Sequence, residues 1–161
     1  TRASADVVER GANGFVVKTV VTIAASPDRT FLALVDEIDM WWSNEHTWSG
    51  QAGNLWLTPN PGGCFCETLA NSGGVAHAVV NHVVPGELLR MTGALGPLQA
   101  SAVTGTLTWQ FEKSGSGTTA TVTYAVSGFY PGGLEAMAGP VDGVISEQLR
   151  RLKAHLEPGR K

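Results

Sequence analysis

The chain has 161 residues, 43% of them hydrophobic, which is enough for one domain with a sizeable core. Its formal net charge is −3, and no basic stripe typical of a nucleic-acid-binding surface is present. No apolar run approaches the roughly 18 residues that a membrane-spanning helix needs. Residues 1–14 are polar and contain glycine, so we predict a flexible N-terminal arm there.

The first predicted elements are a strand and two short helices. Residues 15–25 are rich in β-branched side chains, which favour a strand. Ser26 then supplies an N-cap and Pro27 a first helical residue, a strong signal for the start of a helix. A second helical turn is predicted at residues 38–42.

The middle of the chain predicts six further strands after a polar loop over residues 43–53. The clearest signal is a long hairpin in which apolar residues alternate with threonine, as expected for a sheet with one buried face. Glycine-containing turns separate the shorter strands. The predicted strands cover residues 54–58, 63–70, 75–84, 87–92, 103–111 and 119–126.

The C-terminal segment predicts a long amphipathic helix, because apolar residues recur every three or four positions from Leu134 to Leu156. Pro140 lies inside this stripe, so the helix must either kink there or begin its main segment after a short preceding turn. A sheet and a single helix bury their apolar faces only against each other. The predicted fold class is therefore α+β: a curved antiparallel sheet of six to seven strands around a long C-terminal helix, with two short helices between the first two strands.

Several motifs accompany this order of elements. They are Ile23-Ala-Ala-Ser-Pro-Asp-Arg-Thr-Phe31, Trp41-Trp42, Gly62-Gly-Cys-Phe-Cys-Glu67, Val84-Pro-Gly-Glu-Leu-Leu89 and Gly93-Ala-Leu-Gly-Pro97. Together with the order of elements, they resemble the SRPBCC (START/birch-pollen-allergen-like) superfamily over most of the chain, and within it the branch of activators of the heat-shock-protein-ninety ATPase and of polyketide cyclases. The resemblance implies a helix-grip domain over residues 15–157, a tail over 158–161, and a deep apolar cavity between sheet and C-terminal helix.

The resemblance also suggests, from similar bacterial chains, a secretory leader before the start of the mature protein. We therefore expect either an exported or periplasmic protein whose leader is not part of this sequence, or a cytoplasmic one. The cavity is expected beside Gly139-Pro140, with the small-residue loops 93–98 and 129–133 at its rim. Its candidate ligand-binding wall, which could equally be ordinary core, consists of Trp41, Trp42, Trp56, Phe65, Glu67, Leu95, Trp109, Tyr124, Phe129, Met137, Val141 and Ile145.

Glu67 is the first candidate for chemistry, because it alternates with Phe65 and Leu69 and so lies on an otherwise apolar strand face. If that face is inward, burial should raise the pKa of its carboxyl group, which could then bind a hydroxyl or act as an acid or base. The alternative is an edge position where Glu67 reaches solvent.

His77, Tyr124 and His46 are the other catalytic candidates. The expected pairing of residues 63–70 with 75–84 does not place His77 beside Glu67, so we do not expect these two to form a pair. His46 lies in a loop and is either solvated or a polar contact at the cavity mouth.

Cys64 and Cys66 would share one strand face with Cα atoms about 6.5–7 Å apart, at the long edge of disulfide geometry. Two buried free cysteines, a disulfide on a bulged strand, and a metal or redox site all stay open. The sequence has no nucleophile elbow, zinc-protease motif, phosphate loop or dinucleotide fingerprint. We expect no cofactor and no bound metal.

The predicted function is binding or carriage of a small hydrophobic molecule, such as a lipid, a polyketide or an aromatic metabolite, without catalysis. The expected partner is that molecule alone, with no nucleic acid and no membrane span, and the expected state is a monomer or weak dimer. One alternative is a cyclase- or dehydratase-type enzyme that uses a cavity carboxylate. A further alternative is a co-chaperone-like protein-binding domain.

Overall fold

The structure, a computed structural model, describes residues 4–159. In this part of the chain the strands form one open antiparallel sheet in the order β1-β2-β8-β7-β6-β5-β4-β3. The strands are β1 (Ser4–Gly11), β2 (Gly14–Ile23), β3 (Leu55–Leu57), β4 (Cys64–Thr68), β5 (Gly74–Val84), β6 (Leu88–Thr92), β7 (Ala102–Ser114) and β8 (Gly117–Phe129). The helices are α1 (Pro27–Asp36), α2 (Ile38–Trp41) and α3 (Ala138–Leu156), and short 3₁₀ turns cover Asn44–His46, Ala52–Asn54, Gly96–Ala100 and Glu135–Met137.

The α+β class, the antiparallel sheet and the long C-terminal helix are confirmed, but the predicted count of six to seven strands is wrong. The described part of the sheet has eight strands, and the additional one is β1. Residues 4–11, which the sequence analysis placed in a flexible arm, pair with β2 from Ser4–Val20 to Gly11–Gly14. β1 is an edge strand, and its side chains from Asp6 to Arg10 are mostly exposed, so it lacks the apolar alternation of an inner strand. The first three residues of the predicted arm lie outside the described residues.

Helix α1 begins where the sequence predicts. The Ser26 side chain accepts a hydrogen bond from the backbone N–H of Arg29 at 3.2 Å, and Pro27 occupies the first helical position. The buried face of α1 carries Phe31 and Leu34. The helix therefore closes one end of the core against the sheet.

Helix α3 does not need a kink at Pro140. A 3₁₀ turn over Glu135–Met137 precedes the helix, and Pro140 lies in its first turn, where backbone N–H groups have no partner within the helix. This is the second of the two predicted alternatives. Ile145 and Leu149 pack into the core, and α3 contacts β2 along its length.

A β-bulge in β5 changes the register opposite β4. Cys66 pairs with Ala76, but Phe65 pairs with Ala78, so His77 is an extra residue on β5. Consequently the sequence neighbours His77 and Ala78 are both buried. This local shift decides which side chains meet beneath the sheet.

Cys64 and Cys66 form a disulfide opposite this bulge. Their Cα atoms are 5.4 Å apart, closer than two residues of a regular strand would be. Of the alternatives left open by the sequence, the structure shows the disulfide on an irregular strand pair. Phe65, between the two cysteines, points into the core with 2% of its surface exposed.

Candidate functional site

A cavity of about 500 Å³ lies between the sheet and the N-terminal half of α3. Strands β4, β5 and β8 form one wall, α3 and the turn before it form the opposite wall, and two loops form the mouth. The lining residues are Trp42, Glu45, His46, Thr47, Trp48, Phe65, His77, Leu95, Gly96, Pro97, Leu98, Tyr124, Met137, Pro140, Val141, Val144 and Ile145.

A second depression, of about 570 Å³, follows the turn between β1 and β2 and the adjoining parts of β7 and β8. Glu9, Arg10 and Asn13, which line it, are exposed surface residues. A ligand there would lose little contact with water. The cavity beneath the sheet is therefore the better candidate for a specific site.

The cavity lies beside Pro140, where the sequence analysis expected it. The loop 93–98 forms part of its rim, as predicted, whereas residues 129–133 do not line it. The predicted wall residues that do line the cavity are Trp42, Phe65, Leu95, Tyr124, Met137, Val141 and Ile145.

The remaining aromatic candidates lie elsewhere. Trp41 and Trp109 belong to the core, where their ring centroids are 6.1 Å apart, and the Trp41 indole N–H donates to the Ala33 carbonyl at 2.8 Å. Trp56 and Phe129 are surface residues, 45% and 72% exposed. Trp56 is turned outward because the alternation along β3 directs its neighbours inward. Contrary to expectation, these four residues do not line the cavity.

Glu67 is completely buried and does not reach solvent at an edge. It lies behind the cavity wall, where its carboxylate accepts backbone N–H groups from Trp48 at 3.0 Å and from Ser49 at 2.5 Å. A third hydrogen bond, of 2.8 Å, joins Glu67 Oε2 to His77 Nε2. Glu67 therefore connects the sheet to the loop at the cavity mouth.

The predicted rise in the pKa of Glu67 is wrong. Burial acts to raise it, but the hydrogen bonds from Ser49, Trp48 and His77 together outweigh burial, and the pKa lies below its ordinary value. The carboxylate is ionised at neutral pH. It accepts hydrogen bonds and cannot act as a proton donor there.

The Glu67–His77 pair is the principal feature that the sequence analysis missed. The register at this end of the strand pair differs from the expected one: Glu67 lies opposite Val75, which puts His77 on the same strand face two residues further along β5. The His77 ring is 6% exposed, stacks on Phe65 with centroids 5.0 Å apart, and lines the cavity. No glycine or proline marks the bulge in the sequence, so turn chemistry offers no signal for it.

Burial lowers the pKa of His77, and the hydrogen bond and charge of Glu67 offset this only in part. The ring is therefore neutral at neutral pH. Because a carboxylate only accepts, the proton of the neutral ring is on Nε2, which donates to Glu67. Nδ1 is then a hydrogen-bond acceptor.

Tyr124 holds the rim loop through its hydroxyl group. The hydroxyl donates to the Gly93 carbonyl at 2.8 Å and accepts the Leu95 N–H at 3.0 Å. Burial raises the pKa of Tyr124 to about 12. On the neighbouring strand β7, Gly105 leaves room for this ring, because a side chain there would meet the ring and hydroxyl of Tyr124. Tyr124 thus acts as a wall and a positioning residue.

The other rim is formed by the loop over residues 42–54, between α2 and β3, which we call the mouth loop. Its His46 ring contacts Glu147 of α3, Nε2 to Oε2, at 3.1 Å, and the Trp42 indole N–H donates to the His46 carbonyl at 2.9 Å. The backbone N–H of Ser43 donates to Gln148 Oε1 at 2.9 Å. His46 is therefore a mouth residue, one of its two predicted roles, and α3 anchors one end of the loop.

Two further properties of residues 4–159 bear on the kind of site. In that range no group of three or more histidine, cysteine, aspartate or glutamate side chains is placed to hold a metal ion. None of its helices is both long and apolar enough to cross a membrane.

Residues 15–157 match the family model described as polyketide cyclase / dehydrase and lipid transport. The chain belongs to this family. The match confirms the resemblance to the polyketide cyclase branch that the sequence motifs indicated, and it covers every residue of the cavity wall. No curated protein matches the chain.

Several solved structures of bacterial proteins share the fold of this chain. An uncharacterized protein from Rhizobium leguminosarum is 22% identical, with a TM-score of 0.61 over 98% of this chain and 99% of that one. Ms6760 from Mycobacterium smegmatis is 13% identical, with a TM-score of 0.67 over 98% and 100%. CalU16 from Micromonospora echinospora is 13% identical, with a TM-score of 0.58 over 98% and 86%. At these identities the similarity shows the shared fold.

Proposed function

We propose that this protein binds a small, mainly apolar molecule, such as a lipid, a polyketide or an aromatic metabolite, between the sheet and α3. The observation that carries the proposal is the cavity of about 500 Å³, within the size range of small-molecule sites. Its walls are mostly aliphatic and aromatic side chains, with Val141 and Ile145 facing Phe65 and Tyr124. The family description, which names both polyketide chemistry and lipid transport, supports the same ligand class.

Retention of an apolar fluorescent dye tests this proposal. The wild-type protein should enhance dye emission, and a lipid extract should displace the dye. Val141→Trp, which fills the cavity from α3, should reduce dye affinity about tenfold or more. Leu32→Trp adds the same side chain at an exposed position of α1 and is the control. A folded wild-type protein that retains no dye, or equal affinity in both variants, would contradict the proposal.

The Glu67–His77 pair supports a second candidate function, acid–base catalysis of the cyclase or dehydratase type. His77 is neutral, lines an apolar cavity, and is held through Nε2 by a carboxylate at 2.8 Å. A histidine oriented in this way can remove a proton from a bound substrate through Nδ1. Glu67 would orient the ring and stabilise the charge that forms on it.

Nitrobenzisoxazole provides a test that needs no natural substrate. A base removes the ring C–H proton, the N–O bond breaks, and a nitrile and a phenolate form. The wild-type protein should accelerate this reaction, and His77→Gln should lower the rate roughly 100-fold. The rate should fall as the pH drops through the lowered pKa of His77. A rate that does not depend on His77 would reject catalysis and leave the binding proposal untouched.

A further inference from the structure

We propose that the cavity selects neutral, mainly apolar molecules that carry a hydrogen-bond donor, such as a hydroxyl group. His77 Nδ1 is the atom that accepts the hydrogen bond from this donor. The inference rests on the proposed binding function and adds the chemical class of the ligand. It makes His77 the specificity-determining residue of the site.

The first step concerns the polarity of the His77 ring. Its Nε2 is engaged by Glu67 at 2.8 Å. Since Glu67 already accepts two backbone N–H groups, its oxygens act as acceptors, and the histidine must supply the hydrogen. The opposite ring nitrogen of a neutral imidazole then offers a lone pair.

The second step concerns access to that lone pair. In the described part of the chain, the fully enclosed side-chain polar atoms without a partner belong to Trp109, Asp142 and Gln148. No hydrogen bond in that part of the chain reaches His77 Nδ1 either, yet this atom is not one of the fully enclosed ones. His77 Nδ1 is therefore both unpartnered and partly exposed. Because the His77 ring lines the cavity, the nitrogen is accessible from the cavity side.

The third step concerns the other polar side chains that line the cavity. The Tyr124 hydroxyl uses its hydrogen on Gly93 and accepts from Leu95. Glu45, His46 and Thr47 lie in the mouth loop and not in the strand wall. In the wall formed by the strands, His77 therefore presents the open acceptor.

These contacts define what the site prefers. A ligand hydroxyl would replace the water that Nδ1 loses on binding, whereas a ligand without a donor would leave that nitrogen unpaired. The difference should amount to roughly tenfold in affinity or more. An anionic ligand group would be disfavoured at this point, because the ionised Glu67 lies directly behind the ring.

A matched pair of probes tests the inference. Affinities for 2-naphthol and 2-methoxynaphthalene, which share one ring system and differ in the donor, are measured by titration calorimetry at neutral pH. The wild-type protein should bind 2-naphthol about tenfold more tightly. His77→Phe keeps an aromatic ring against Phe65 but removes the acceptor, and the two affinities should become equal.

Two further variants control for folding and for nonspecific effects. His77→Gln can still donate to Glu67 and offers an amide oxygen to the cavity, so part of the preference should return. His82→Phe changes an exposed histidine of the same strand and should leave the preference intact. Equal wild-type affinities, or a preference that survives His77→Phe, would overturn the inference. Failure to retain any apolar dye would instead overturn the binding function itself.

Discussion

Glu67 is a buried side chain that organises the cavity wall without lining the cavity itself. Its carboxylate accepts from Trp48 and Ser49 in the mouth loop and from His77 in the cavity wall. A buried charge is tolerated when its lone pairs are satisfied by donors held in place. The residue therefore couples the position of the loop to the orientation of the histidine.

We predict that Glu67→Gln destabilises the protein. The amide would retain one acceptor oxygen, but its NH₂ group would face an N–H donor of the loop or of His77. The free energy of unfolding should fall by about 2–3 kcal/mol, measured by urea denaturation. Glu45→Gln neutralises an exposed carboxylate of the same loop and should change stability by less than about 0.5 kcal/mol. Similar losses in the two variants would contradict this account of Glu67.

Strand β4 carries both a disulfide and a residue of the cavity wall. Its disulfide joins Cys64 to Cys66 on the partly exposed face, and Phe65 between them projects to the cavity and packs on Trp42 with ring centroids 5.3 Å apart. The backbone conformation that the disulfide restricts is thus the one that positions a wall residue. We therefore expect the disulfide to restrain one wall of the cavity.

Reduction of the disulfide should lower stability modestly, because the loop that it closes is very short. The chain-entropy relation gives roughly 1–2 kcal/mol for a loop of this length. Urea denaturation with and without dithiothreitol measures the effect, and thiol titration confirms reduction. The double variant Cys64→Ser/Cys66→Ser should have the stability of the reduced protein and should not respond to the reductant. Unchanged stability after complete reduction would show that the bridge does not constrain β4.

Elements with local signals could be predicted from the sequence, and elements set by long-range pairing could not. Ser26 and Pro27 specify the start of α1 within one turn, and the alternation of β7 and β8 specifies their inward faces. The polar edge strand β1 has no such pattern. The bulge at His77 and the register that sets Glu67 opposite Val75 both depend on how two strands pair, and the Glu67–His77 contact follows from that register.

The cavity, too, could be predicted from the sequence only where local patterns determine it. Its place beside Pro140 follows from the interrupted stripe of α3, and the wall residues Met137, Val141 and Ile145 could be predicted from helical spacing. The positions of Trp56 on the surface and Trp109 in the core could not be predicted. Composition shows that an aromatic residue is available but not which layer of the fold it occupies. Glu67 anchors the mouth loop through hydrogen bonds to residues that are far away in the sequence. The residue types involved do not predict this contact.

At the scale of the whole molecule, buried ionisable groups should make stability depend on pH. The pKa values of Glu67 and His77 are both lowered in the folded state. The unfolded chain therefore binds protons before the folded chain does, and each group contributes stability that is lost as the pH falls. The window opens below the ordinary value of 6.5 for histidine and deepens below 4.5 for glutamate.

Thermal unfolding between pH 8 and pH 4 should accordingly show a falling Tm, with a first decline beginning near pH 6.5. His77→Phe should remove that first decline and keep the one at lower pH. Asp142 acts in the opposite direction, because burial raises its pKa and its contribution is lost as the pH rises through that pKa. A Tm that is constant from pH 8 to pH 5 would contradict the environment described for His77.

The anchored mouth loop also has a kinetic consequence. We expect a guest molecule of the proposed class to pass the rim by displacing this loop, which would break the hydrogen bonds from the backbone N–H groups of Trp48 and Ser49 to the buried Glu67 carboxylate. The barrier to escape is then set by the protein and only weakly by the guest. Weak and strong ligands should leave at more similar rates than their affinities suggest, and a molecule acquired in the cell should survive dilution and chromatography.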